Sequence, residues 1–399
     1  MAQAGERATY RDVFAVAEFR ALWLAQVTSV AGDQLARVAL TVLVFDRTHS
    51  ALLAAVTYAA SILPIFLGGV LLAGLADRLP RRTVMITCEL CQTALVLLMT
   101  VHGMPVAALV VLLSLVTLAD AVFRSARTAI FPDILTGDVF VLGQAVALTT
   151  YQLAQVIGFA VGGVVVGFLG THVSLLIDAA TFVVAAALVR WGVRSRPAAS
   201  QAGPKPAPLT DAWAGVRLVF GRPALRTPML LGWLAAFYNA PEGVATPLAH
   251  ALRAGPVAVG LILAAIALGA TIGNITITRL VPPERRGRVT GPLAVACCAM
   301  LALFAVHPDL PAALVILTAS GLFAGYQGLA SAAFITATPA EQRSQAFGLA
   351  QAGMYLGQGA AMIIAGAATD RFGAVGVIAA VGVLGAAAAL AVILTATTG

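Results

Sequence analysis

Gln26-Val-Thr-Ser-Val-Ala-Gly-Asp33-Gln-Leu-Ala-Arg37-Val-Ala-Leu-Thr-Val-Leu-Val44 is apolar enough to cross a bilayer, yet it carries an acid and a base one helical turn apart. A charge at mid-bilayer costs roughly 3 kcal/mol even on insertion-based scales, so it faces a partner or a watered cavity rather than lipid. Asp33 and Arg37 fall on one face of a helix and are placed to pair. The stretch reads as a membrane helix built to hold charge.

Eleven more apolar spans surround it. We expect helices 1 to 6 at Phe19–Phe45, Ala51–Leu75, Thr83–Val101, Val106–Arg127, Gln144–Leu169 and Val173–Trp191. Helices 7 to 12 are expected at Met229–Ala251, Val257–Leu280, Val289–Ala305, Ala312–Thr336, Ala346–Ala368 and Ala374–Thr395. The chain of 399 residues is 60% hydrophobic and 10% charged, against about 25% charged in an ordinary soluble domain. Its mean hydropathy is +0.95. A membrane supplies the solvent, and the spans leave no room for a soluble catalytic domain. The segment ahead of helix 1 is polar and lacks the apolar core of a cleaved signal, so helix 1 is expected to insert and stay.

The net charge of +7 is a topology signal rather than a nucleic-acid footprint. Arg7, Arg11, Arg20, Arg78, Arg81, Arg82, Arg124, Arg127, Arg285, Arg286, Arg288 and Arg343 flank one side of the spans, whereas Arg47, Arg253 and Arg371 flank the other. The arginine-rich side is cytoplasmic by the positive-inside rule, which places both termini there, and the near-absence of lysine (Lys205 alone) points to a bacterial genome and so to a bacterial inner membrane. Residues 192–227 form the one long connection. Its first part is a flexible Pro/Ala/Ser/Gly linker, and Leu209–Phe220 is expected as a short amphipathic helix on the cytoplasmic surface.

The fold expected is therefore all-α: twelve transmembrane helices in two pseudo-symmetric six-helix bundles, residues 1–191 and 228–399. An internal echo supports the division. Leu153-Ala154-Gln155 of helix 5 recurs as Leu356-Gly357-Gln358 of helix 11, and Gly163 then matches Gly366 at the same offset.

Five acids are expected inside spans: Asp33, Glu89, Asp120, Asp178 and Glu242. Four lie in the first half, which points to proton coupling there through Asp33, Arg37, Glu89 and Asp120. Glu89 and Asp120 are also placed to balance Arg124 or Arg127. Asp178 reads as a packing or capping contact near the outer end. Glu242 lies in Asn239-Ala-Pro-Glu-Gly, where Pro and Gly open helix 7, and reads as substrate-facing. Gln26, Gln92, Tyr151, Gln155, Trp233, Tyr238, Tyr326, Gln327, Tyr355 and Gln358 are candidates to line a large amphipathic cavity. The five histidines fall near the outer face on different loops, which argues against a metal site. Cys88-Glu-Leu-Cys91 lacks a second ligand pair, so no cofactor is expected, only a proton gradient.

Between helices 2 and 3, Ala73-Gly-Leu-Ala-Asp77-Arg78-Leu-Pro80-Arg81-Arg82 resembles the loop signature of the major facilitator superfamily. Ala73 and Pro80 stand where that signature has glycines. The resemblance implies that Asp77, Arg78, Arg81 and Arg82 latch the cytoplasmic gate, with Asp77 near Gln345 and Arg78 or Arg81 on Asp133. The corresponding loop after helix 8, Glu284-Arg285-Arg286-Gly287-Arg288, keeps the arginines without the Asp. Gly158-Phe-Ala-Val-Gly162-Gly163 resembles the antiporter signature of the same family, with Phe159 in place of Pro. It implies that Gly158, Gly162 and Gly163 serve gating.

Phe19 to Asp33, Ala126 to Asp133 and Asp178 to Phe182 are similar to the family's twelve-helix branch of drug, macrolide and siderophore exporters. The implied protein is a monomeric, proton-coupled antiporter for efflux of hydrophobic or amphipathic molecules. An importer, or an exporter dedicated to a single metabolite or siderophore, is the alternative. No Gly-rich phosphate loop or catalytic triad supports an enzyme.

Overall fold

The computed structural model describes residues 9–68, 79–196, 215–339 and 342–398, and these are helical almost throughout, with no strand among them. Helix 1 runs Ala17–Thr48, helix 3 Arg81–Met99 and helix 4 Val106–Ile134. Helices 5 and 6 share the stretch Gly137–Gly192, divided at Gly170, whose φ of 79° lies in the left-handed region. Glycine enters that region without a Cβ clash, so the chain reverses there with no loop to spare. Helix 8 is Pro256–Leu280 and helix 9 begins as Pro283–Ala302. Helix 11 is Arg343–Phe372 and helix 12 Ala374–Thr398. The chain is an all-α multi-pass membrane protein.

Eight stretches are long and apolar enough to span by a strict rule, the joined helices 5 and 6 counting as one. Among the described residues, helices 7 and 11 and the described part of helix 2 fall short of it. Helix 2 breaks between Ala51–Ala59 and Leu63–Leu67, because Pro64 has no N–H to give the carbonyl of Ala60. That carbonyl is taken instead by the Thr117 hydroxyl at 3.3 Å. Helix 7 is a chain of four pieces, Pro223–Trp233, Ala235–Tyr238, Ala240–Gly243 and Ala245–Ala251. Pro241 and Pro247 interrupt it. Helix 10 breaks between Leu310–Ala324 and Tyr326–Ala337.

Contacts between the first six helices and the last six gather at the end of the bundle opposite the N terminus. A methyl on Gly163 would meet the Gly260 backbone at 2.8 Å, and one on Gly366 would meet the Ala51 carbonyl at 2.9 Å. The two glycines matched by the internal echo therefore occupy equivalent crossings, helix 5 on helix 8 and helix 11 on helix 2. Asp370 caps helix 2 from the other half: it accepts from the Ala51 N–H at 2.6 Å, the Leu52 N–H at 3.2 Å and the Ser50 hydroxyl at 3.0 Å. Phe45 and His250 rings meet at 5.7 Å beside it.

At the other end, several ion pairs and hydrogen bonds tie the first half to itself. Arg81 donates to Asp133 and to the Ala129 carbonyl, both at 2.7 Å, and Arg82 donates to the Arg190 carbonyl. Arg196 grips Glu18 through two bonds of 2.7 and 2.9 Å, and that carboxylate makes the Arg196 guanidinium still harder to deprotonate. Residues 215–220 are helical. There Val219 is buried in a cluster with Leu225, Met229, Phe334 and Ala346, so this segment docks on the broken end of helix 10. The remainder of the expected surface helix lies outside the described residues, as do Asp77 and Arg78.

Candidate functional site

A cavity of about 420 Å³ lies between the halves, and helices 1, 2, 4, 5, 7, 8, 10 and 11 all contribute to its wall. Of the expected lining residues, Tyr151, Gln155, Tyr238, Glu242, Gln327, Tyr355 and Gln358 are on it. Gln155 and Gln358, the second pair of the internal echo, thus reach the same space from opposite halves. The wall is more polar than expected, for Arg37, Tyr58, Arg124, Gln152, Asn239 and Asn274 join it. Sequence reading passed over Tyr58 and Asn274 because a single polar residue in an apolar helix is ordinary. Only the neighbouring helices make it a wall.

Four candidates lie elsewhere, among them Gln92, which is 1% exposed on helix 3. Gln26 is 3% exposed and its Nε2 bonds the Ala147 carbonyl at 3.3 Å, joining helices 1 and 5. Tyr326 is fully buried and donates to the Leu231 carbonyl at 2.9 Å. With Gln327, whose amide donates to the Gly232 carbonyl at 2.9 Å, it satisfies a backbone that the breaks in helix 7 leave open. Trp233 donates to the Ala350 carbonyl at 3.0 Å and lines an adjoining chamber of about 340 Å³, which shares Asn274 and Gln327 with the first. These two chambers extend toward the N-terminal end of the bundle.

The acids are arranged differently from the simple pairing expected. Arg37 donates to Gln34 Oε1 at 3.2 Å, and Asp33 forms no ion pair with it among the described residues. Asp120 instead holds Arg124 at 2.7 Å, an i,i+4 pair on helix 4. The Arg124 guanidinium lies over the Tyr151 ring, 4.8 Å from its centre, a cation–π contact that adds to the pair's attraction. Arg124 is therefore fixed between the helix 4 acid and the cavity. Glu89 is fully buried, and both its oxygens lack a partner among the described residues. Asp178 is neither a cap nor near an end: it lies two turns into helix 6 at 1% exposure. In the second half, Glu242 accepts from the Tyr58 hydroxyl of helix 2 at 3.1 Å. That bond crosses the interface inside the cavity, with Arg37 as the charge nearest to it on helix 1.

The gating glycines divide by role. Methyls on Gly158 and Gly162 would meet Gln34 at 3.0 Å and Leu35 at 3.1 Å, both on helix 1 of the same half. Gly163 alone faces the other half. Helix 5 continues unbroken through Phe159, which lines the cavity. Arg81 and Asp133 form the expected ion pair at 2.7 Å. No group of three or more potential metal ligands occurs among the described residues. His102 and His172, far apart in sequence, stack at 5.0 Å.

Two solved structures share this architecture. A POT family transporter in complex with 5-aminolevulinic acid superposes with a TM-score of 0.76 at 10% identity, over 95% of this chain and 96% of that one. The nucleoside transporter NupG gives 0.74 at 14% identity, over 96% and 99%. At such identities the likeness is one of fold. In sequence, the multidrug efflux pump Tap of Mycolicibacterium fortuitum is 24% identical over 363 residues, 88% of each chain. The enterobactin exporter EntS of Salmonella choleraesuis is 27% identical over 321 residues, 78% of this chain and 75% of its own. The family profile of the Major Facilitator Superfamily matches residues 22–325 and again 242–398, and the chain belongs to that superfamily.

Proposed function

We propose that this transporter exports amphipathic organic molecules across the bacterial cytoplasmic membrane, as a monomer with both termini inside, in exchange for protons. The observation that carries the reading is the position of Arg37. It borders the wide cavity and also the carboxylates of the first half, so a ligand on one side and a proton on the other act on one guanidinium. Asp33, Glu89 and Asp120 would handle the proton. Tyr151, Gln155, Tyr238, Glu242, Tyr355 and Gln358 would hold the ligand.

With the N-terminal end inside, the contacts at Gly163, Gly366 and Asp370 close the outer side. That is the state in which an exporter loads. Rocking of the halves would break those contacts and make others at Asp77, Arg78, Arg81, Arg82 and Asp133. The likeness to an efflux pump and to a siderophore exporter supports the outward direction. The amide- and phenol-rich wall keeps a dedicated polar metabolite as the second reading, because such groups match hydrogen-bonding ligands better than greasy ones.

The test is accumulation of a panel of cationic dyes and antibiotics in cells expressing wild type or Asp33→Asn, with and without a protonophore. Wild type should lower accumulation about tenfold or more, and both the substitution and the protonophore should remove the effect. Uphill export retained by Asp33→Asn would sink the assignment of Asp33. An unchanged panel would favour the dedicated exporter.

A further inference from the structure

A second, much smaller cavity lies inside the first six helices. It measures about 20 Å³, and its lining includes Asp33, Arg37, Ser61, Thr117, Asp120 and Asp178. A single water needs on the order of 10–15 Å³ by the same measure, so there is room for one. Neither carboxylate oxygen of Asp178 has a hydrogen-bond partner among the described residues. Its place beside helix 1 depends on Gly32: a methyl there would coincide with Asp178 Oδ1 and Thr181 Oγ1. Asp178 therefore abuts the turn that carries Asp33, with Arg37 one turn further on.

The charges around this cavity do not balance. Helix 1 brings Asp33 and Arg37, helix 3 Glu89, helix 4 Asp120, Arg124 and Arg127, and helix 6 Asp178, while Tyr58 and Tyr151 are the phenols within reach. Asp120 and Arg124 neutralise each other. Asp33 and Asp178 are left on the lining with Arg37, which also borders the wide cavity that holds Glu242, so the two carboxylates carry an excess of negative charge where an unpaired charge is strongly disfavoured. Two carboxylates sharing a site resolve such an excess by holding one proton between them.

We propose that Asp33 and Asp178 form a two-carboxylate site that shares a single proton across the small cavity. An O–H bond forms on one carboxyl as hydronium gives up its proton, and the other carboxylate accepts the hydrogen bond. Release reverses this when Arg37 turns toward the pair and replaces the proton's charge. Arg37 also faces Glu242, so a cationic ligand that takes the Glu242 charge frees Arg37 to expel the proton. Glu89 lines neither cavity and stands outside the shared pair. The proposal deepens the proton-coupled reading above and rests on it for its place in transport.

The experiment is an infrared pH titration of the carboxyl band of the purified full-length protein in detergent, which needs no ligand. Wild type, Asp33→Asn, Asp178→Asn, the double variant and Glu89→Gln are compared, with Asp178→Ser held ready should Asp178→Asn fail to fold. Both single variants should abolish the same titration step, the double variant should lose no more, and Glu89→Gln should keep it. Additive loss of two separate steps, a wild-type titration in Asp178→Asn, or loss of the step in Glu89→Gln would each overturn the shared site. Replacement of sodium by choline should leave the step in place; a step that appears only without sodium would make the site a metal-cation site and overturn the proton assignment. Export by wild type that ignores a protonophore would refute the coupling reading and leave the titration result standing.

Discussion

Helices 1 and 4 of the first half correspond to helices 7 and 10 of the second, yet the two pairs bury different chemistry. Helix 1 carries Asp33 and Arg37, and helix 4 carries Asp120, Arg124 and Arg127. Their counterparts offer Tyr238, Asn239 and Glu242 on helix 7, and Ser320 and Gln327 on helix 10. Beneath them the second half packs the fully buried Cys297, Cys298 and Tyr326. One half thus has a charged interior and the other an almost neutral one, on the same six-helix plan. The contrast shows that the plan needs only the small-residue crossings and short loops to form. The interior polar groups are free to specialise, provided each buried charge finds an answer.

The hardest way to break the contrast is to remove an answer. Asp120→Ala leaves Arg124 without its carboxylate in a mostly buried place, and should cost about 3 kcal/mol of stability, the scale of a broken buried pair. Glu242→Gln keeps the Tyr58 bond as a neutral one and should cost about 1 kcal/mol or less. Thermal unfolding of both variants in detergent compares them directly. Equal losses would mean that the halves do not differ in this way.

Closure at the Gly163 end of the bundle should be the next most sensitive. Gly163→Leu puts a branched side chain against the Gly260 backbone, where even one methyl is crowded. Transport should fall about a hundredfold with the fold intact, whereas Gly158→Ala, a packing change against helix 1, should be far milder. Distance measurements between spin labels on helices 5 and 8 would show the outer side held apart in Gly163→Leu.

Asp370→Ala removes three hydrogen bonds from the start of helix 2. Loss of a helix N-cap costs about 1 kcal/mol, and because this cap joins the two halves, the loss should shift the open to closed ratio at this end about fivefold. Accessibility of an outer-side cysteine label reads that shift.

The smallest effect lies at the Thr9–Asp12 cap. The Thr9 backbone N–H, with the Thr9 hydroxyl, holds the Asp12 carboxyl below its ordinary value. The cap is then complete above the ordinary carboxylate pKa of about 4 and is lost as pH falls through the lowered value. Amide exchange of residues 10–15 should therefore quicken in acid beyond its intrinsic pH trend, and Asp12→Asn should remove that dependence. An unchanged profile would place the cap's strength in Thr9 alone.

Much of the site was legible because lipid makes polar residues conspicuous. Asp33, Arg37 and Glu242 stood out against apolar neighbours, and the echo of Gln155 in Gln358 marked the cavity wall from both halves. Gln26 and Tyr326 were equally conspicuous but serve helix packing. A polar side chain in lipid must find a partner, and the sequence does not say whether that partner is ligand or backbone. Asp370 escaped notice because it lies at a helix end, where an acid is unremarkable until a foreign N-terminus is set against it.

The sequence by itself determined the membrane solvent, the order of helices and the division into halves, since each follows from local hydropathy and from loop length. It also marked the break in helix 7 at Pro241, because proline acts on its own turn, whereas the break in helix 2 at Pro64 was not expected. Only the tertiary structure decided which charges meet. Asp120 rather than Asp33 takes an arginine, and Asp178 packs against Gly32 on the turn before Asp33, because such partnerships depend on how rotated neighbouring helices are. That rotation is fixed by glycine contacts such as Gly32 on helix 6 and Gly163 on helix 8, which no single helix encodes.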